Sequence, residues 1–94
     1  MTQQPLNIAI VGCGNIARAY GKSLQPYPQL KLVGATDHFL NLAEDYVATF
    51  GGKVYATVDD LLADEEVDLV INLTIHKAHV EVITKCLKIG RAHV

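Results

Sequence analysis

Short apolar runs alternate with amphipathic stretches along the whole of this 94-residue chain, and that alternation limits its possible folds more than any other feature. Leu6-Asn7-Ile8-Ala9-Ile10-Val11 is rich in β-branched side chains and stops at Gly12, the pattern of a buried strand. Asn15 to about Gln25 follows as a helix, with Ile16, Ala17, Tyr20 and Leu24 expected on its inner face, and Pro26-Tyr27-Pro28 ends it. Leu30 to Thr36 reads as a second strand closing at Asp37. Ala43, Tyr46, Val47 and Phe50 have helical spacing, and Gly51-Gly52 closes that helix. Val54-Tyr55-Ala56 is a short third strand. Thr57 caps a short helix through Leu61-Leu62-Ala63, with the Asp60 carboxylate three residues on. Val67 to Leu73 is a fourth strand, and Val82, Ile83, Cys86 and Leu87 form the inner face of a last helix capped by Gly90. Arg91-Ala92-His93-Val94 begins a fifth strand.

Strands that alternate with helices are joined in parallel by right-handed crossovers. Continuous apolar strands suit a sheet covered on both faces. The expected architecture is therefore α/β: a doubly wound parallel sheet, Rossmann-like, with strand order 3-2-1-4-5. The length predicts one domain over residues 1–94, an incomplete one, since a full fold of this type takes about 150 residues. Half the residues are apolar and the mean hydropathy is +0.21, which excludes a disordered polymer. Eight basic against ten acidic residues, with no basic block, argue against a nucleic-acid partner. Every wholly apolar run is far shorter than the roughly 20 residues of a membrane span. Met1 to Pro5 has none of the regions of a signal peptide, so a cytoplasmic location is expected. Cys13 and Cys86 are too few for a disulfide framework and are expected to be small buried side chains.

Chemistry concentrates at three points. Gly12-Cys13-Gly14-Asn15-Ile16-Ala17 is a G-x-G-x-x-A sequence between a predicted strand and a predicted helix. Gly12 allows a tight turn, Gly14 lets a pyrophosphate approach the backbone, and Ala17 keeps the helix close to the sheet. Free N–H groups around Asn15 and Ile16 would face the phosphates. Asp37 ends the second strand about twenty positions after Ala17, where a carboxylate accepts hydrogen bonds from ribose hydroxyls. It also reads as a turn or N-cap residue. His38 follows, and no Lys or Arg occurs between it and Lys53, so NAD is favoured over NADP. At the end of the fourth strand, Thr74 and Ile75 are expected against the cofactor. His79 reads either as a first-turn residue packed under the cofactor loop or as a proton-transfer group. His76 and His79 lack a third ligand, so no metal is expected. Lys77 and Asp64-Glu65-Glu66 read as solvated, and no catalytic residue is assigned.

Taken together, these segments resemble the N-terminal nucleotide-binding domain of the Gfo/Idh/MocA oxidoreductases. The resemblance rests on Ile8 to Ala17, Leu32 to Asp37, Tyr55 to Ile71, Thr74-Ile75-His76-Lys77-Ala78-His79 in place of T-P-x-x-x-H, and Gly90 to Val94 in place of G-K-H-V. It implies NAD(P)-dependent oxidation or reduction of a hydroxyl or carbonyl group on a sugar, cyclitol or related substrate. It further implies that Gly12, Gly14, Asn15 and Ile16 cradle the pyrophosphate, that Asp37 and His38 flank the adenosine ribose, and that Thr74, Ile75 and His79 border the nicotinamide side. Two departures stand out. Ile75 replaces a proline, which bears on the backbone lining the cofactor. The family's E-K-P motif with its catalytic lysine, and a C-terminal α/β domain with the substrate pocket, would follow Val94 in a longer parent protein. The 94 residues alone are then expected to bind cofactor without turnover, with substrate bound only by the full-length parent. The same motifs would serve a different class of protein, a stand-alone nucleotide-binding or redox-sensing module. An open sheet edge would also allow homo-oligomer formation.

Overall fold

The structure, a computed structural model, describes residues 4–94. Within them strands and helices alternate: β1 (Leu6–Val11), α1 (Asn15–Leu24), β2 (Leu30–Thr36), α2 (Leu40–Phe50), β3 (Lys53–Val54), α3 (Val58–Ala63), β4 (Leu69–Asn72) and α4 (His76–Ile89). The strands form one sheet in the order β3-β2-β1-β4, and every pairing is parallel. β1 lies at the centre, and its residues from Ile8 to Val11 are buried. Successive side chains of a strand point to opposite faces, so β1 feeds two cores at once. Ile8 and Ile10 pack with Ala17, Ala35, Ala43, Tyr46 and Ile71 under α1 and α2. Ala9 and Val11 pack with Leu61, Val70, Val82 and Cys86 under α3 and α4. This is why β1 is apolar at nearly every position instead of at alternate ones.

Several expected boundaries and faces shift. The inner face of α1 is centred on Ala17 and Gly21, with Leu24 half-buried, whereas Ile16 is 65% and Tyr20 40% exposed. Small residues seat the helix closely: Gly21 lies against the Phe50 ring, and the Tyr46 hydroxyl of α2 donates to the Ala17 carbonyl at 2.7 Å. In α4, Val82 and Cys86 are buried as expected and Ile83 is half-buried, but Leu87 is 67% exposed. β3 is Lys53–Val54 in place of residues 54–56, although the Tyr55 N–H still reaches the Ala35 carbonyl. β4 is shorter than the apolar run from Val67 to Leu73 that announces it.

The expected fifth strand does not form. Residues 90 and 91 are held in the closure of α4, where Gly90 N–H reaches the Leu87 carbonyl and Arg91 N–H the Cys86 carbonyl. Ala92 to Val94 remain for pairing. They exchange three backbone hydrogen bonds with Val70 and Asn72, which amounts to an isolated parallel bridge between Val70 and His93. The sheet order is thus 3-2-1-4, with a bridge in the fifth place. Both cysteines are buried and free. Among the described residues no helix is long and apolar enough to cross a membrane.

Candidate functional site

The carboxyl ends of β1, β2 and β4 meet at one point of the sheet. Gly12 leaves β1 with φ +97°, a region that side chains avoid. A Cβ on it would also fall 2.7 Å from the Leu73 carbonyl and 2.9 Å from the Thr74 nitrogen, so the turn can touch the end of β4 only through a glycine. Its N–H donates to the Thr36 carbonyl at 2.9 Å, and the Cys13 N–H donates to Asp37 Oδ2 at 2.7 Å. The glycine turn is thereby fastened to the end of β2.

Gly14 differs. As N-cap of α1 it has φ −86° and ψ −159°, accessible to any residue, and a Cβ there would meet no atom within 4 Å. The space in front of this glycine is open. The first turn of α1 holds no acidic side chain and receives no side-chain cap. The ladder starts with Arg18 N–H to the Gly14 carbonyl at 3.2 Å, so the N–H groups of Asn15, Ile16 and Ala17 precede it without intrahelical acceptors. α3 shows the contrast: Thr57 Oγ1 accepts from the Asp60 N–H at 3.0 Å, and Asp59 and Asp60 sit in its first turn. An open approach at Gly14 and a run of unclaimed amides suit a diphosphate.

Asp37 fulfils the turn role foreseen for it, since its Oδ1 accepts the Phe39 N–H at 2.8 Å. Each of its oxygens keeps acceptor capacity. His38 is exposed, edge-on to the Phe39 ring at 5.1 Å. Ile75 is the N-cap of α4, 82% exposed, with φ −69°. That is the angle a proline ring imposes, so the backbone here keeps the path that proline would give. His79 is half-buried in the first turn of α4, its N–H bonded to the Ile75 carbonyl. The His76 side chain lies outside the described residues. Among those that are described, no group of His, Cys, Asp and Glu side chains is gathered for a metal ion. The Cys13 thiol is pushed up to about 12, first by burial and then by the Asp37 carboxylate, which favours its protonated form.

A cleft of about 290 Å³ opens along these strand ends. It joins three site candidates from the sequence, Asp37, His38 and Thr74, with Thr57, marked there only as a helix cap, and with Glu81 and Lys85, which the sequence does not mark. Gly12 to Ile16 line the adjoining turn, and Ile75 and His79 lie outside the cleft wall. Thr57 was legible as a cap but also sits on a strand-to-helix connection at the ligand edge of the sheet. Glu81 and Lys85 follow Ala78 at helical spacing on α4, a face that apolar patterning does not mark. Lys85 is paired with Asp59 of α3 at 3.0 Å.

A parallel α/β sheet with a glycine turn at its crossover point, an uncapped helix behind it and an acid ending the neighbouring strand defines a dinucleotide-binding domain of the Rossmann type. Comparison with known proteins agrees. Residues 6–94 match the family model described as the oxidoreductase family, NAD-binding Rossmann fold, of Gfo/Idh/MocA type. The chain belongs to this family and is its NAD-binding domain. It is 40% identical over 73 residues to the glucose-6-phosphate 3-dehydrogenase of Bacillus subtilis (strain 168), covering 77% of this chain and 21% of that protein. Among solved structures it is similar to GenD2 from gentamicin A biosynthesis in complex with NAD, at TM-score 0.90 and 26% identity, covering 99% of this chain and 27% of that one. It is also similar to a myo-inositol dehydrogenase from Corynebacterium glutamicum ATCC 13032, at TM-score 0.85 and 26% identity, covering 95% and 27%. The chain therefore spans about a fifth to a quarter of the length of these relatives.

Proposed function

We propose that this chain holds the NAD of an oxidoreductase that acts on a hydroxyl or carbonyl carbon of a sugar, cyclitol or related substrate. The observation that carries this reading is the open space before Gly14 beside the uncapped start of α1. The N–H groups of Gly14, Asn15 and Ile16 bind the pyrophosphate, and Gly12 sets the turn that aims them. Asp37 and His38 flank the adenosine ribose, while Thr74, Ile75 and His79 border the nicotinamide-side half. The cofactor, when bound, supplies or accepts the hydride. The chain's own part is to hold and orient it. The substrate class follows the names of the relatives, a glucose-6-phosphate dehydrogenase and a myo-inositol dehydrogenase.

NAD is preferred over NADP on electrostatic grounds. Asp37 and Glu81 place two carboxylates on the cleft, and its one ammonium, Lys85, is already paired with Asp59. A 2′-phosphate would meet net negative charge. Titration calorimetry should show NADH binding to the wild-type chain and weaker binding of NADPH. Gly14→Val should lower NADH affinity by about tenfold or more, the equivalent of one or two lost amide–phosphate hydrogen bonds. The melting temperature should hold, because nothing occupies the space the new side chain would take. Unchanged NADH affinity in Gly14→Val would remove the pyrophosphate assignment.

A further inference from the structure

We propose that Asn72 is a positioning residue that fixes the direction of the Thr74 hydroxyl, so that Thr74 meets the bound cofactor as a hydrogen-bond acceptor. This rests on the cofactor reading above. Asn72 is the last residue of β4, and its side chain is buried, with 4% exposure. Its Nδ2 donates to the His79 carbonyl at 2.9 Å. A carbonyl can only accept, so the amide nitrogen must face α4 and Oδ1 must face the other way. Oδ1 lies 2.7 Å from Thr74 Oγ1 and 3.4 Å from the Thr74 nitrogen. An amide oxygen carries no proton, so the proton on that short contact is the threonine's. Only lone pairs of Thr74 Oγ1 remain for the cleft that it lines together with Asp37.

Thr74 therefore offers an acceptor to the cleft alongside the carboxylates of Asp37 and Glu81. Ligand groups that satisfy them are donors, such as ribose hydroxyls or an amino group. Phosphate oxygens do not satisfy them. A buried amide that merely closed the β4–α4 turn would leave the Thr74 contribution to binding unaffected by the identity of residue 72.

The test is NADH titration of the chain with single and double variants, alongside thermal melting. Thr74→Ser should bind within about twofold of wild type, because it keeps the hydroxyl, and Thr74→Val should bind about three- to tenfold more weakly, the worth of one hydrogen bond. In an Asn72→Leu background the Thr74→Val penalty should shrink below about twofold, because the hydroxyl is no longer held in direction. In an Asn72→Asp background, which keeps an acceptor for the hydroxyl proton, the penalty should persist. Should Asn72→Leu fail to fold, the Asn72→Asp background decides, and loss of the penalty there overturns the proposal. Equal binding by Thr74→Val and wild type, or a full penalty in the Asn72→Leu background, also overturns it while leaving the cofactor reading intact. If the wild-type chain binds no NADH, the cofactor reading fails and this inference fails with it.

Discussion

Gly12 and Gly14 sit two positions apart in opposite surroundings. Gly12 serves the chain: its φ and the nearness of the Leu73 backbone both exclude a side chain. Gly14 faces open space, with no atom within 4 Å of where a Cβ would sit. Gly12→Ala should accordingly destabilise the fold by about 2–3 kcal/mol in urea titration, through left-handed strain and crowding. Gly14→Ala should leave stability near wild type. The spacing of the two glycines marked the site, but their separate duties depended on Leu73, distant in sequence and adjacent only in the sheet. The same limit applied to charge. The sequence just after Asp37 holds no cation before Lys53, while Lys85 reaches the same cleft from α4. The turn role of Asp37 was legible, because an acid at the end of a strand readily accepts turn N–H groups, here those of Cys13 and Phe39.

At the scale of elements, periodicity located each helix but misjudged which residues face inward where small side chains do the packing. Ala17 and Gly21 carry little hydrophobic signal, yet they let α1 approach closely, and the larger Ile16 and Tyr20 turn outward. The end of α3 holds another arrangement that composition disguised. Asp64, read as part of a solvated turn, accepts the Tyr55 hydroxyl at 2.6 Å and pairs with Lys53 at 3.1 Å. The Tyr55 hydrogen bond, then the Glu66 N–H, then Lys53 hold the Asp64 carboxyl at about 2, below its ordinary 3.8. A carboxyl with a lowered folded-state pKa stabilises the fold above its unfolded pKa, and that contribution is lost as pH falls through the folded value. Melting temperatures of wild type and Asp64→Asn should therefore differ at pH 6 and converge as pH is lowered from about 4 towards 2. A difference that persists undiminished at pH 2 would contradict the arrangement.

Across the whole molecule, the alternation of strand and helix was enough to fix a parallel sheet with β1 inside it, because crossover handedness leaves few other arrangements. Its far edge was not legible, since a residue run with strand character still needs successive pairings to become a strand. What secures that edge is Arg91. Its guanidinium donates to the carbonyls of Leu62 at 3.0 Å, Asp64 at 3.2 Å and Val67 at 2.6 Å. Lysine cannot reproduce such a planar, forked donor. One cation thus latches the segment from α3 through α4 into a closed circuit of chain, which should open as a single cooperative unit. In Arg91→Lys, amide deuterium uptake should quicken throughout residues 62–91 while β1, β2 and α2 keep their protection. The half of the domain that carries the glycine turn would then outlast the half that carries Thr74 and His79.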